Sequence, residues 1–144
     1  MKDVVDTEIK YGIVPPQLVA EFWPKVEPLL EPAVERGEPG YVMADVLDSV
    51  IRGDTLLWVG TQGANIVTAC TTDVMQRPRC KVLVLTWCGG KDVDTWLEDG
   101  LATVERYAKD IGCSHLEIFG RKGWSRKLNS SWKHGVTIYR KEVS

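Results

Sequence analysis

Residues 82–95 read Val82-Leu83-Val84-Leu85-Thr86-Trp87-Cys88-Gly89-Gly90-Lys91-Asp92-Val93-Asp94-Thr95, and this stretch decides the fold. Residues 82–85 form a short continuous apolar run, the pattern of a central strand buried on both faces. Beyond the glycines, Leu97, Leu101, Val104, Ala108 and Ile111 recur at intervals of four and three. That period predicts an amphipathic helix stopped by Gly112. Thr95 with Glu98 three residues later predicts a capping box at its start, with Asp94 as the rival N-cap. Residues 114–119 then read as a second strand, so the segment is a strand-helix-strand crossover.

Toward the N-terminus, residues 9–14 read as a strand stopped by Pro15 and Pro16. Residues 17–35 are helical in pattern but carry Pro24, Pro28 and Pro32, and an internal proline removes a hydrogen bond and clashes with the preceding turn. Two short helices or a kinked one are therefore expected. Met43, Val46, Leu47, Val50 and Ile51 share one helical face, with Gly53 as the stop. Residues 55–61 and 64–74 read as strands around a tight turn at Gln62 and Gly63. Toward the C-terminus, residues 123–132 suggest a short helix, and the alternation over residues 136–143 predicts a closing strand. The assembled order is β-α-α-β-β-β-α-β-α-β, an α+β class with a mixed, mostly antiparallel sheet and helices on both faces.

The whole chain is of single-domain size, residues 1–144 without a linker or repeat. Hydrophobic residues make up 44% and charged residues 26%, with a net charge of −2, so overall charge does not advertise nucleic acid or a membrane. No apolar run approaches the length of a transmembrane helix, and Met1-Lys2-Asp3-Val4 lacks a signal-peptide start. A cytoplasmic protein is expected. Cys70, Cys80, Cys88 and Cys113 make no C-x-x-C pair, and with two histidines the sequence indicates no metal site. Buried reduced thiols are the expectation.

This order, with Leu57-Trp58-Val59 before Gly63 and Ile66-Val67, resembles the GNAT N-acetyltransferase superfamily over residues 10–143. Gly112-Cys113-Ser114-His115-Leu116-Glu117-Ile118 is similar to the end of that family's central helix and its next strand. Gly120-Arg121-Lys122-Gly123-Trp124-Ser125-Arg126-Lys127-Leu128, with Gly135-Val136, resembles its last helix and closing strand. More narrowly, the Leu-Trp-Val strand with Gly-Arg-x-Gly-Trp-x-x-x-Leu is similar to small GNAT-like proteins of tailed bacteriophages, some of them virion or morphogenesis proteins.

The resemblance implies acetyl-CoA at the splay of the central strand, its pyrophosphate on backbone N–H groups at the N-terminus of the long helix, where such groups and the dipole favour an anion. The corresponding residues are Cys88, Gly89, Gly90 and Lys91. Gly89 and Gly90 permit a tight turn, and Lys91 is a candidate phosphate contact. The second half of the family's glycine pattern is missing. Asp92, Asp94, Glu98 and Asp99 crowd the first turn instead, and at ~6 Å and an effective dielectric of ~20 each carboxylate repels a phosphate charge by roughly 3 kcal/mol. The stretch reads either as a capped helix start without a ligand or as a divergent CoA site. Acetyl-CoA is thus a cofactor the resemblance allows, and none is required.

The implied reaction is direct attack of an amine on the thioester, with a strand carboxylate as base and a tyrosine on the last helix as acid. Glu117 and Asp73 are the candidate bases, each also readable as a solvated strand carboxylate. No tyrosine stands on residues 123–132, where Leu128 and Trp132 hold the corresponding places. Arg121, Lys122, Arg126 and Lys127 form the one dense basic cluster, interleaved with Trp124. Trp124 and Leu128, four apart, read as a buried stripe. The charges suit a solvated face, a CoA phosphate, nucleic acid or an acidic protein surface, and with Trp132 nearby a protein partner is favoured. The expectation is a GNAT-like protein with a degenerate acetyl-CoA site and an interaction or virion-assembly role. The alternative is an active N-acyltransferase.

Overall fold

Alternating residues sort two cores onto opposite faces of one five-stranded sheet. The computed structural model describes residues 8–120 and 122–144, Lys122 through its backbone alone. Strands β1 (Ile9–Ile13), β2 (Leu56–Gln62), β3 (Asn65–Gln76), β4 (Lys81–Gly90) and β5 (His115–Ile118) lie side by side in chain order. All neighbours are antiparallel except β4 and β5, which run parallel across the helical crossover. Leu57, Val59 and Ala69 pack against helices α1 (Val19–Arg36) and α2 (Met43–Ile51). Trp58, Cys70, Leu83 and Leu85 pack against α3 (Leu97–Asp110) on the other face. This is the α+β class, mixed and mostly antiparallel with helices on both faces, that the sequence implies.

β4 is as buried as its run of apolar residues requires, with Val82, Leu83, Val84 and Leu85 between 0% and 2% exposed. Leu97, Val104 and Ala108 are buried, and Leu101 and Ile111 pack against the same core. Gly112 closes α3 at φ +85°, a conformation glycine adopts without a Cβ penalty.

Two local expectations are corrected. Residues 19–36 form one uninterrupted helix despite Pro24, Pro28 and Pro32. The prolines are four apart and exposed, while Val19, Trp23, Val26, Leu30 and Val34 are buried. The bonds they remove therefore lie on the side where water satisfies the freed carbonyls. The capping box at Thr95 and Glu98 does not form, because the Thr95 hydroxyl donates to the Asp92 carbonyl at 2.7 Å and the helix begins two residues later.

The C-terminal expectations fail more widely. The helix over residues 123–132 shrinks to a 3-10 turn, Lys122–Arg126. The Asn129 side chain accepts the Ser131 N–H at 3.0 Å, a local bond that competes with helix continuation. Residues 136–143 form no strand. Val136, Ile138, Tyr139 and Val143 are 63–95% exposed, so the alternating apolar residues have no core to cover them.

Candidate functional site

A wedge opens where β4 outlasts β5. The parallel register runs from Val82 opposite His115 to Leu85 opposite Ile118, and the Phe119 N–H donates to the Leu85 carbonyl at 3.0 Å. Residues 86–90 then continue with β3 alone as a partner strand. At the mouth of the wedge β4 bulges. Thr72 opposes Leu85 and Thr71 opposes Trp87, leaving Thr86 as the extra residue, its hydroxyl 2.7 Å from that of Thr71. A bulge re-aims the side chains beyond it. Leu85 faces α3, Trp87 packs toward α1, and Cys88 returns to the α3 side.

Cys88, Gly89, Gly90 and Lys91 lie along this open stretch, so the structure brings together the residues singled out for a cofactor. The two glycines are strand residues, however, and not a phosphate-cradling turn. A Cβ on Gly89 would stand 1.9 Å from the Leu29 carbonyl oxygen, and one on Gly90 would stand 2.6 Å from that of Val67. Their missing side chains admit α1 and β3. The turn comes after them, at Lys91 and at Asp92 with φ +52°. There the Lys91 N–H donates to the Val67 carbonyl at 3.0 Å, and the Lys91 carbonyl accepts the indole N–H of buried Trp96 at 2.7 Å. Tyr11 on β1 donates to the Trp96 carbonyl at 3.0 Å. Burial, and then the charge of Asp99, push the Tyr11 phenol up.

The acidic turn and the basic segment meet. Lys127 reaches Asp94 at 2.9 Å across the start of α3, linking two features read separately in the sequence. Asp92, Asp94, Glu98 and Asp99 are all exposed there, as are the Lys91 and Arg126 side chains. An open depression is lined by Gly90, Asp92, Val93, Asp94 and Thr95. Trp124 and Leu128 are only half-buried, the former seated over Gly120, and Leu128 lies beyond the 3-10 turn, so the buried helical stripe expected of them does not form. Trp132 is also half-buried. Arg121 lies outside the described residues, as does the side chain of Lys122.

The two candidate bases sit elsewhere. Asp73, Val84 and Glu117 form one row across β3, β4 and β5, four residues and so about 13 Å along the strand from Cys88. Arg77 grips Glu117 through two hydrogen bonds of 2.7 Å. Those bonds, more than charge alone, hold the Glu117 carboxyl below its usual range. A general base working near neutral pH needs the opposite shift. Asp73 accepts a 2.5 Å hydrogen bond from buried Thr55, which also contacts Ser49 at 2.7 Å. The sequence carries no signal for these partners, since Arg77 lies forty positions from Glu117.

On the other side of β4, Tyr41 meets Trp87 edge to face at 5.1 Å between ring centres. Glu38, in the same loop as Tyr41, is paired with Arg140 of the C-terminal segment. Among the described residues, no group of three or more His, Cys, Asp or Glu side chains is placed to hold a metal ion. No described helix is long and apolar enough to cross a membrane.

No family profile and no curated protein matches the sequence. Solved structures match the fold. An aminoglycoside acetyltransferase, meta-AAC0020, from an uncultured soil metagenomic sample superposes with a TM-score of 0.70 at 10% identity, over 94% of this chain and 97% of that one. A GNAT family acetyltransferase from Staphylococcus aureus gives 0.67 at 10% identity, over 94% and 98%. The aminoglycoside N-acetyltransferase AAC(6')-Iy, solved in complex with CoA, gives 0.61 at 13% identity, over 94% and 96%. The chain has the GNAT fold, and at these identities the likeness speaks for the fold alone.

Proposed function

We propose that this GNAT-fold protein carries a degenerate acetyl-CoA site and works through its basic C-terminal segment as a binding module for a protein partner. One observation carries the reading: the turn before α3 is satisfied from within the chain. Its Lys91 N–H is bonded to Val67, and its Asp94 is held by Lys127. An anion arriving there would face Asp92, Asp94, Glu98 and Asp99, with Lys91 and the already engaged Lys127 as the exposed cations of the turn. The committed state of Glu117 and Asp73 supports the same view, since neither carboxylate is placed to take a proton from an amine at the wedge. Arg126, Lys127 and Trp132 are the described members of the proposed interaction surface, with Arg121 and Lys122 completing it in sequence. The resemblance to small phage proteins makes a virion-assembly subunit the partner class in view.

The open wedge favours a second reading, an acetyl-CoA-dependent N-acyltransferase. There the stretch of residues 86–90, open on the β5 side, would receive the pantetheine arm, and acetyl-CoA would supply the acyl thioester. Thermal unfolding with and without acetyl-CoA separates the two. The degenerate reading expects no shift at millimolar ligand. A one-site ligand at 100 times its Kd stabilises by about 2.7 kcal/mol, a rise of several degrees in a domain this size, and that result overturns it.

A further inference from the structure

Cys70 on β3 and Cys88 on β4 are directly opposed, and the bulge is what opposes them. Gln76 pairs with Lys81 at the hairpin, and uninterrupted counting from there would set Cys70 against Trp87. The extra residue at Thr86 sets it against Cys88 instead. Both side chains face α3 within one apolar cluster, and both line a partly open apolar cavity of about 30 Å³ beneath that helix. Both are free thiols. A hydrogen bond with Cys88, and then burial, push the Cys70 thiol up.

Opposed residues on antiparallel strands hold their Cβ atoms roughly 4.5–5.5 Å apart, and a disulfide needs about 3.5–4.5 Å. A small approach of the strands closes that difference, and the cavity gives the sulfurs room to rotate. The remaining cysteines lack an opposed partner: Cys80 precedes β4 at the hairpin, and Cys113 follows α3.

We propose that Cys70 and Cys88 form a reversible cross-strand disulfide, a redox modification site on the strand that borders the wedge. The oxidant is a low-molecular-weight disulfide such as oxidised glutathione. Cys88, the more exposed of the two, attacks as its thiolate on one sulfur of the oxidant and expels a small thiolate, leaving a mixed disulfide. Cys70 then yields its proton to solvent and attacks the Cys88 sulfur, expelling the second small thiolate. Two protein S–H bonds and one small-molecule S–S bond are lost. One protein S–S bond and two small thiols are gained. Burial of Cys70, which disfavours its thiolate, makes its attack the slow step. The product would tie Cys88 to β3 and stiffen the stretch that runs on to Lys91, whether or not acetyl-CoA binds there.

The test uses the full chain incubated with oxidised glutathione, then denatured and titrated with a thiol reagent. Free thiols should fall from the four of the sequence to two and return with dithiothreitol. Non-reducing peptide mapping should join the segments holding Cys70 and Cys88. Because Cys70 is buried, Cys88→Ser is the variant used, and it should form no intramolecular bond. Persistence of all four thiols, a glutathione adduct as the end product, or a bond mapped to Cys80 or Cys113 would overturn the proposal.

Discussion

Residues 82–85 and residues 136–143 are both rich in strand-forming apolar side chains, and the chain treats them in opposite ways. The first set is at most 2% exposed, while Val136, Tyr139 and Val143 are 89–95% exposed. β4 has β3 on one edge and β5 on the other, with α1 and α3 above and below. The described side-chain bonds of the C-terminal segment are few, chiefly Arg140 to Glu38 and the Thr137 hydroxyl near His134. Composition therefore proposes a strand and neighbours make one. Packing that close-fitting also restricts β4 to residues its neighbours can admit.

The sharpest break in this contrast is Gly89→Ala against Gly135→Ala. The first drives a Cβ into the Leu29 backbone, whereas the second meets nothing within 4 Å. Urea denaturation should show a loss above about 3 kcal/mol for the first and a change within about 0.5 kcal/mol for the second. Next comes Leu83→Ala, which should cost about 3 kcal/mol through its cavity, against Ile138→Ala within about 0.5 kcal/mol. An Ile138→Ala loss comparable to that of Leu83→Ala would mean the C-terminal segment packs, and the contrast would fail.

Smaller effects sharpen it at the polar positions. Glu117 has its folded pKa below the ordinary value of 4.5, so its contribution is present above that value and lost as pH falls through the folded pKa. The urea midpoint of Glu117→Gln should accordingly lie below that of the unmodified protein at neutral pH. The gap should shrink in acid, and a gap independent of pH would contradict the assigned cause. Smallest is Lys127→Ala. Its pair with Asp94 is 41% and 80% exposed, so the loss should stay under about 0.5 kcal/mol and vanish in high salt.

Much of the fold was legible because its signals are local. The apolar face of Met43, Val46, Leu47, Val50 and Ile51 gave α2 its observed bounds, Met43–Ile51. α1 was misread because proline has a penalty whose size depends on which face loses its bond, and the sequence does not show where water will be. The site was legible only in outline. Residues 88–91 are assigned to the wedge by the family resemblance, but the Leu29 and Val67 carbonyls that require Gly89 and Gly90 come from elsewhere in the chain. The partners of Glu117 and Asp94 are likewise set by tertiary structure.

The bulge at Thr86 also makes β4 a strand with two phases. Up to Leu85, odd-numbered residues face α3; from Cys88 onward the even-numbered ones do. Pairing the strand straight through this point, with Thr86 set against Thr71, would act as a frameshift in three dimensions. Trp87 would turn away from Tyr41 toward α3, and Cys88 would turn toward α1, with no side chain chemically altered. The bulge is therefore information in its own right: a relative of this chain that kept the residue without the bulge would need a differently composed edge beyond it, whereas one that lacked the residue would keep the same edge on the same faces.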